Sequence, residues 1–406
     1  MKADIEADII PVDRAEAVSL MEPLLLGPRH REPLTDLALE LTHESASFRA
    51  SLPASILTSL ADLVRAMNCY YSNLIEGHST HPVDIERALR NEYSANPHNR
   101  DLQLEAKAHI AVQRWIDDGG LKGRLAVSAA GIQEIHRRFC ELLPEDLLWA
   151  EDPDTKERLR VIPGELRRRD VKIGRHIAVS PGALARFLER FAAVYGRTGR
   201  TESIISTAAA HHRLLWMHPF LDGNGRVARL MSHAILLDAL DTGAIWSVAR
   251  GLARNVQEYK RHLSDCDQPR RNDLDGRGTL SEEALAEFTR FFLSVCIDQV
   301  SFMEGLVRPD RLRARILLWA EEEIRLGELP PKAGNILEAV LYRGELPRGE
   351  AAAVVGTGER NARRVVSALI NMGVLTSGNA RAPLRLVFPA ALAGRWMPGL
   401  FPEQTC

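Results

Sequence analysis

Apolar residues recur at three- and four-residue spacing over most of the chain, the period of amphipathic helices. Ile56, Leu57, Leu60, Leu63, Val64 and Met67 open the first strong run, which continues through Tyr70 and Tyr71 to Glu76. Gly77 is the residue type that stops a helix in the left-handed conformation just past its end. Further helical runs are predicted at 82–91, 102–115, 127–143, 182–195, 203–217, 247–263 and 281–307. Before them, residues 1–50 are mixed and polar, with Pro23, Pro28 and Pro33. They read as an arm laid on the surface, with one helix near 34–41. The rhythm breaks at 144–180. An acidic stretch around Glu145 and Asp152 reads as loop, and Val171 to Val179 alternates apolar and polar about Gly174, as in a short hairpin.

After Arg308-Pro309 the pattern changes scale. A connecting helix at 311–325 precedes Pro330-Pro331, followed by short helices at 334–342, 348–355 and 359–372 and paired strands at 373–375 and 384–388. Composition adds bounds. The 406 residues exceed one ordinary domain. An apolar fraction of 45% and a charged fraction of 26% describe a water-soluble globular chain, and the net charge of −2 excludes a nucleic-acid polycation. Five scattered cysteines without a C-x-x-C pair fit reduced thiols rather than a disulfide framework or a zinc site. The acidic N-terminus lacks a signal-peptide core, and no apolar run is long enough for a membrane span, so a cytoplasmic location is expected.

The chemistry concentrates between His218 and Arg229. Pro219, Asp222-Gly223 and Asn224-Gly225 have the turn chemistry of a loop, and Val227 onward is helical. A glycine-rich loop opening a helix is an anion site. Gly223 and Gly225 let backbone N–H groups approach a ligand, and the first helical turn adds unpaired N–H groups and the positive dipole end. Arg226 and Arg229 suit more than one phosphate. Asp222 is a hard-oxygen ligand for a Mg²⁺ between those phosphates, and His218 is the group that can take a proton near neutral pH. His136, His211 and His212 lie on apolar faces; His136 and His211 read as structural and neither His211 nor His212 as a metal ligand. Asn255 and Tyr259 are four apart and so share a face of the 247–263 helix.

The segment His218-Pro-Phe220-Leu-Asp222-Gly223-Asn224-Gly225-Arg226-Val-Ala-Arg229 resembles the motif of the Fic family, H-x-F-x-D/E-G-N-G-R-x-x-R, at all eight of its fixed positions. The resemblance implies a helical Fic bundle and transfer of a nucleotide monophosphate, usually AMP from ATP with Mg²⁺, to a protein Ser, Thr or Tyr hydroxyl. His218 would be the general base. Asp222 would hold the metal, and Gly223, Asn224, Gly225, Arg226 and Arg229 the phosphates. Phe220 would anchor the loop. Ser72-x-x-x-Glu76-Gly77 resembles the family's inhibitory motif, in which the glutamate pairs with the second motif arginine, here Arg229. The 165–180 hairpin sits where the family carries a target-docking flap, with Ile173, Gly174 and Ile177 at its tip. Asn255 and Tyr259 fall where adenine-pocket residues often lie. The C-terminal order of helices and strands resembles a winged helix.

The reading is therefore a mainly α protein. An arm at 1–50 precedes a Fic domain at 51–305, with the inhibitory helix at about 56–77 and the flap at about 165–180. A connecting helix at 306–330 leads to a small α+β winged helix at 331–406. The expected activity is autoinhibited protein adenylylation of a hydroxyl-bearing partner, with self-modification and a homodimer both compatible with it. A nucleotide-sensing transcriptional regulator, or transfer of another nucleotide, is the alternative. Residues 341–400 hold eight arginines and three glutamates, a net of +5, which leaves DNA binding and protein contact both open for the C-terminal unit.

Overall fold

The computed structural model describes residues 10–152 and 155–402. Ten helices build the main body: α1 (Pro28–Ala50), α2 (Ala54–Ile75), α3 (Pro82–Leu89), α4 (Pro97–Trp115), α5 (Ala129–Glu141), α6 (Leu184–Tyr195), α7 (Arg200–Met217), α8 (Asn224–Leu240), α9 (Val248–Arg254) and α10 (Val256–Cys266). The long α11 (Glu282–Val307) closes it. Helix starts follow local chemistry. Asn96, Ser128, Ser247 and Ser281 each accept a backbone N–H from the first turn, and α3 and α4 begin with proline.

Helices α7 and α8 form an antiparallel pair joined by the 218–223 loop, and this pair carries the site. Ala208, Leu214, Met217, Ala228 and Met231 are fully buried along it. The wall behind it comes from α1 and α11, α5 flanks α8, and side chains of α2 and α4 reach the start of α8.

Residues 28–50 are not a surface arm. They form the 23-residue helix α1, packed on α11 and α7 through Leu34, Ala38, Leu41 and Phe48, all fully buried. The prolines did not prevent it. Pro28 is the first helical residue, and Pro33 lies on the exposed side one turn in, where solvent takes over the lost backbone bond. The first nine residues of the expected arm lie outside the described residues. Residues 10–16 run along the 170–186 segment: Gly182 donates to the Val12 carbonyl (2.8 Å), and Asp13 pairs with Arg186.

The 144–160 stretch, read as loop, holds a hairpin of β1 (Trp149–Glu151) and β2 (Arg158–Arg160). Charged residues at alternate positions hid its short strands. The next hairpin is where the alternation placed it, with β3 (Lys172–Ile173) antiparallel to β4 (His176–Ile177) about Gly174 at φ 59°.

Beyond α12 (Pro309–Leu326) come α13 (Ala333–Arg343), β5 (Glu345–Leu346), α14 (Ala351–Val355), α15 (Glu359–Asn371), β6 (Leu375–Thr376), β7 (Leu384–Leu386) and α16 (Ala393–Trp396). The sheet is antiparallel in the order β5-β7-β6. Two residues long, β5 was too short to read in the sequence. Trp319 and Trp396 meet edge to face at 5.2 Å in the core of this unit. Among the described residues no helix is long and apolar enough to cross a membrane.

Candidate functional site

Helix α7 stops at His218, which takes a left-handed conformation (φ 49°, ψ 62°) that a non-glycine residue adopts only under constraint. Arg167 supplies the constraint. This buried guanidinium donates to the carbonyls of His218 (2.8 Å), Met217 (3.3 Å), Arg169 (2.8 Å) and Val179 (2.5 Å), and its backbone N–H donates to Pro219 (2.9 Å). Its cation faces the carbonyl end of α7, the favourable end of the helix dipole. Burial lowers its pKa only to about 10, so the charge persists at neutral pH.

Phe220 is fully buried and lies flat on the His136 ring, centroids 3.9 Å apart. Gly164 N–H donates to His136 Nδ1 (2.9 Å), which leaves the ring proton on Nε2. The Asn224 side chain clamps the loop: its Oδ1 accepts from Phe220 N–H (3.0 Å) and its Nδ2 donates to the Phe220 carbonyl (2.8 Å). Expected as a direct phosphate contact, the Asn224 side chain is instead spent on the backbone. What it offers an anion is its N–H at the first position of α8.

His218 Nδ1 lies 3.4 Å from the Leu215 carbonyl, an arrangement in which Nδ1–H donates and Nε2 keeps its lone pair. Burial pushes the imidazole pKa down to about 4, so it is neutral and able to accept a proton at pH 7.

Gly223 caps α8 in the left-handed region (φ 81°), and no side chain caps the first turn. Its N–H groups are those an anion would meet. One anion is already there. A Cβ on Gly225 would stand 2.3 Å from Glu76 Oε1, so the Glu76 carboxylate lies directly over the start of α8. The same oxygen accepts from Arg229 Nη2 at 2.5 Å, while Arg229 Nε donates to Ser72 Oγ (2.8 Å) and Nη2 to the Ser72 carbonyl (3.3 Å). Ser72 and Glu76, one turn apart at the end of α2, thus grip one arginine. Burial works against the Glu76 charge, but Arg229, with Arg226 and His78, outweighs it and holds the carboxyl below its ordinary range.

Arg226 is matched in the same way. Its Nη2 donates to Glu105 Oε2 at 2.6 Å, and its guanidinium lies over the Phe139 ring. Glu105, on α4, escaped the sequence reading. A lone glutamate among apolar neighbours was its only signal. Asp222 projects into solvent from the loop. Among the described residues no group of three or more His, Cys, Asp or Glu side chains could hold a metal. Asp222 is the carboxylate that the 218–223 loop itself carries, a donor that fits a Mg²⁺ completed by phosphate oxygens and waters.

The hairpin stands beside this loop. His176 Nε2 lies 2.8 Å from the Trp216 carbonyl, and its ring leans on Trp216, two residues before His218. Ile173 and Ile177 are 38% and 67% exposed, an apolar pair facing outward.

Asn255 and Tyr259 do not form one face. The predicted 247–263 helix breaks at Asn255, which joins α9 to α10. Asn255 is exposed and donates to the Gly251 carbonyl (2.9 Å). Tyr259 is buried, 2.6 Å from His211 Nε2 and beside the Arg229 guanidinium. No purine can stack there. Tyr259, His211 and Ser232 instead back Arg229 from inside the bundle, with His211 Nδ1 2.9 Å from Ser232 Oγ.

Residues 126–236 match the sequence profile of the Fic/DOC family. In this stretch the chain is similar to the Fic/DOC family. The match includes the whole 218–229 loop and leaves α2 and the C-terminal unit outside it. Proteins named protein adenylyltransferase Fic from Drosophila grimshawi and Drosophila melanogaster are each 28% identical over 172 residues, 42% of this chain. The chain spans about a third of the length of these curated relatives, 32% in both. Among solved structures, a Fic family protein from Desulfovibrio desulfuricans superposes with a TM-score of 0.51 over 88% of this chain and 96% of its own, at 15% identity. A Fic-1 fragment from Caenorhabditis elegans does so with a TM-score of 0.51 over 68% and 74%, at 18% identity. These two likenesses concern the fold alone.

Replacing Arg167 by methionine is expected to strand four carbonyls it now serves. With about 1–3 kcal/mol at stake per buried group left unpaired, the chain should lose roughly 3 kcal/mol or more of stability. Thermal denaturation checks this; a Tm within a degree of the parent would refute the stitching role.

Five buried histidines add a pH prediction. Burial, first among the causes at each, lowers His109 and His211 to about 3 and His136, His212 and His218 to about 4. The unfolded chain binds these protons first, near pH 6.5, so stability is full above that value and falls as the pH drops toward 4. Each group removes up to about 1.4 kcal/mol per pH unit, and five together can erase a typical stability within two units. Circular dichroism should show unfolding above pH 4; a native spectrum at pH 4 would contradict the buried-neutral assignment.

Proposed function

We propose that the chain is an autoinhibited protein adenylyltransferase that moves AMP from ATP to a Ser, Thr or Tyr hydroxyl of a protein. One observation carries this reading. A neutral histidine with a free Nε2 stands at the mouth of an anion cradle whose second arginine is held by an internal carboxylate. The fold likeness and the names of the curated relatives agree with it.

The chemistry is in-line displacement. The target hydroxyl oxygen bonds to the α-phosphorus as the bond from that phosphorus to the α–β bridging oxygen breaks. Pyrophosphate leaves with the electron pair, and the hydroxyl proton passes to His218 Nε2. The N–H groups of Asn224, Gly225 and Arg226 face the oxygens that gain charge, and Arg226 and Arg229 hold the β/γ end once their carboxylates give way. A Mg²⁺ at Asp222 would neutralise phosphate charge. Ile173, Gly174 and Ile177 present the flap edge to which an extended target segment can add as a strand. Glu76 is the brake, set on Arg229 by Ser72. The C-terminal unit is a winged helix in this reading, supported by its order α13-β5-α14-α15-β6-β7.

A second reading, a nucleotide-sensing transcriptional regulator, is favoured by Arg360 and Arg364. They lie one turn apart on the exposed face of α15, with no ion-pair partner among the described residues. A sensor has no use for the free base at His218.

Intact-mass spectrometry of the Glu76→Gly chain with Mg·ATP, alone and with cell extract, tests the main reading. A gain of one AMP mass on the chain or on an extract protein supports it. No gain with ATP but a gain with another nucleotide redirects the donor, and a gel shift with duplex DNA without any transfer favours the regulator.

A further inference from the structure

Helix α2 carries the brake on one face and the C-terminal unit on another. Ser72 and Glu76 turn toward Arg229. Tyr71, one residue before Ser72, turns the other way, and its hydroxyl donates to the Leu400 carbonyl at 2.8 Å. Phe401 follows, stacked on Tyr71 with centroids 6.4 Å apart and edge-on to Tyr70 at 5.5 Å. Arg250, from α9, completes the clamp. Its Nη2 donates to the Gly399 carbonyl (2.8 Å), its Nη1 to Gln299 Oε1 (2.9 Å), and its guanidinium lies 3.4 Å from the Phe302 ring centroid. Tyr71 and Arg250 are both 2% exposed, and without the tail each would lose a buried hydrogen-bond partner, Arg250 keeping Gln299.

The far end of α2 is held by the same unit. Ser59 Oγ donates to the Leu386 carbonyl of β7 (2.6 Å), and a Cβ on Gly344 would stand 2.5 Å from Ser55 Oγ. Five turns of helix are thus pinned at both ends by residues 344–401, which lie outside the matched Fic profile.

We propose that residues 399–401, with Tyr71 and Arg250, are positioning residues for Glu76: the C-terminal tail fixes the last turns of α2 and thereby seats the carboxylate on Arg229 and over Gly225. The C-terminal unit is then the control element of the brake, and whatever loosens the tail releases the site. This rests on the adenylyltransferase reading above.

The experiment is a cycle in the full chain. Phe401→Ala and Tyr71→Phe, the latter removing the hydroxyl alone, are each made with Glu76 present and in Glu76→Gly. AMP incorporation from Mg·ATP and hydrogen exchange of the amides of residues 70–78 are both read. With Glu76 present, each variant is expected to raise AMP incorporation roughly threefold or more, and in Glu76→Gly to change it by less than about twofold, since only the brake is coupled to the tail. Exchange at 70–78 should quicken in both backgrounds. Equal factors in the two backgrounds, or unchanged exchange at 70–78, overturn the proposal. Glu76→Gly no faster than the parent would instead sink the brake itself, and the exchange data would still decide whether the tail holds α2.

Discussion

The His218→Ala chain, made in the Glu76→Gly background, is expected to transfer AMP about 10²–10⁴ times more slowly than Glu76→Gly alone, the range a positioned general base contributes. The argument rests on position and protonation together. Nδ1 is committed toward the Leu215 carbonyl, so Nε2 is the nitrogen left for a substrate proton. With the imidazole near pKa 4, it is already in its basic form across the physiological range. Alanine removes the proton acceptor and leaves the cradle, which is made of α8 backbone and two arginines. ATP binding should therefore survive while turnover collapses. Single-turnover AMP incorporation with labelled ATP, beside calorimetric ATP binding, separates the two. A rate within tenfold of the parent would show that another group takes the proton. The same low pKa predicts that the rate varies little between pH 8 and pH 6, where an ordinary histidine would begin to protonate.

The second large effect is the release of the brake. Glu76→Gly is expected to raise AMP transfer over the unmodified chain by about 5- to 150-fold, the range of a typical coupling between sites. Two events combine. The N–H groups at the start of α8 lose the carboxylate that lies over Gly225, and Arg229 loses its ion-pair partner while keeping Ser72 at 2.8 Å. The arginine thus stays oriented and becomes available to a phosphate. Equal rates for the two chains would remove Glu76 from any inhibitory role.

Much of the site was legible because its parts are close in sequence. The 218–229 loop declares its turn residues, its arginines and its base within twelve positions, and Ser72 and Glu76 announce a shared face by spacing alone. The residues that escaped act across the fold. Arg167 sits in a run of three arginines, and nothing local says which one turns inward to collect carbonyls. Glu105 meets Arg226 across 121 positions of chain. Asn255 and Tyr259 misled for the opposite reason. A four-residue spacing implies one face only within a continuous helix, and the backbone breaks at Asn255. In α1 the prolines looked like breaks, yet one began the helix and the other fell on the side facing water.

The pairing of both motif arginines by Glu105 and Glu76 has a consequence for how the site meets a nucleotide. Its positive charge is already neutralised from within. A triphosphate therefore arrives as one anion exchanging for another, and the loop does not depend on ligand to hold its two buried cations. Long-range attraction of ATP is muted in the resting chain, and association should be slow and nearly insensitive to ionic strength. Opening the brake would add a net positive charge and with it a salt-dependent on-rate. The carboxylate proposed as the brake thus also keeps the unliganded loop electrically quiet.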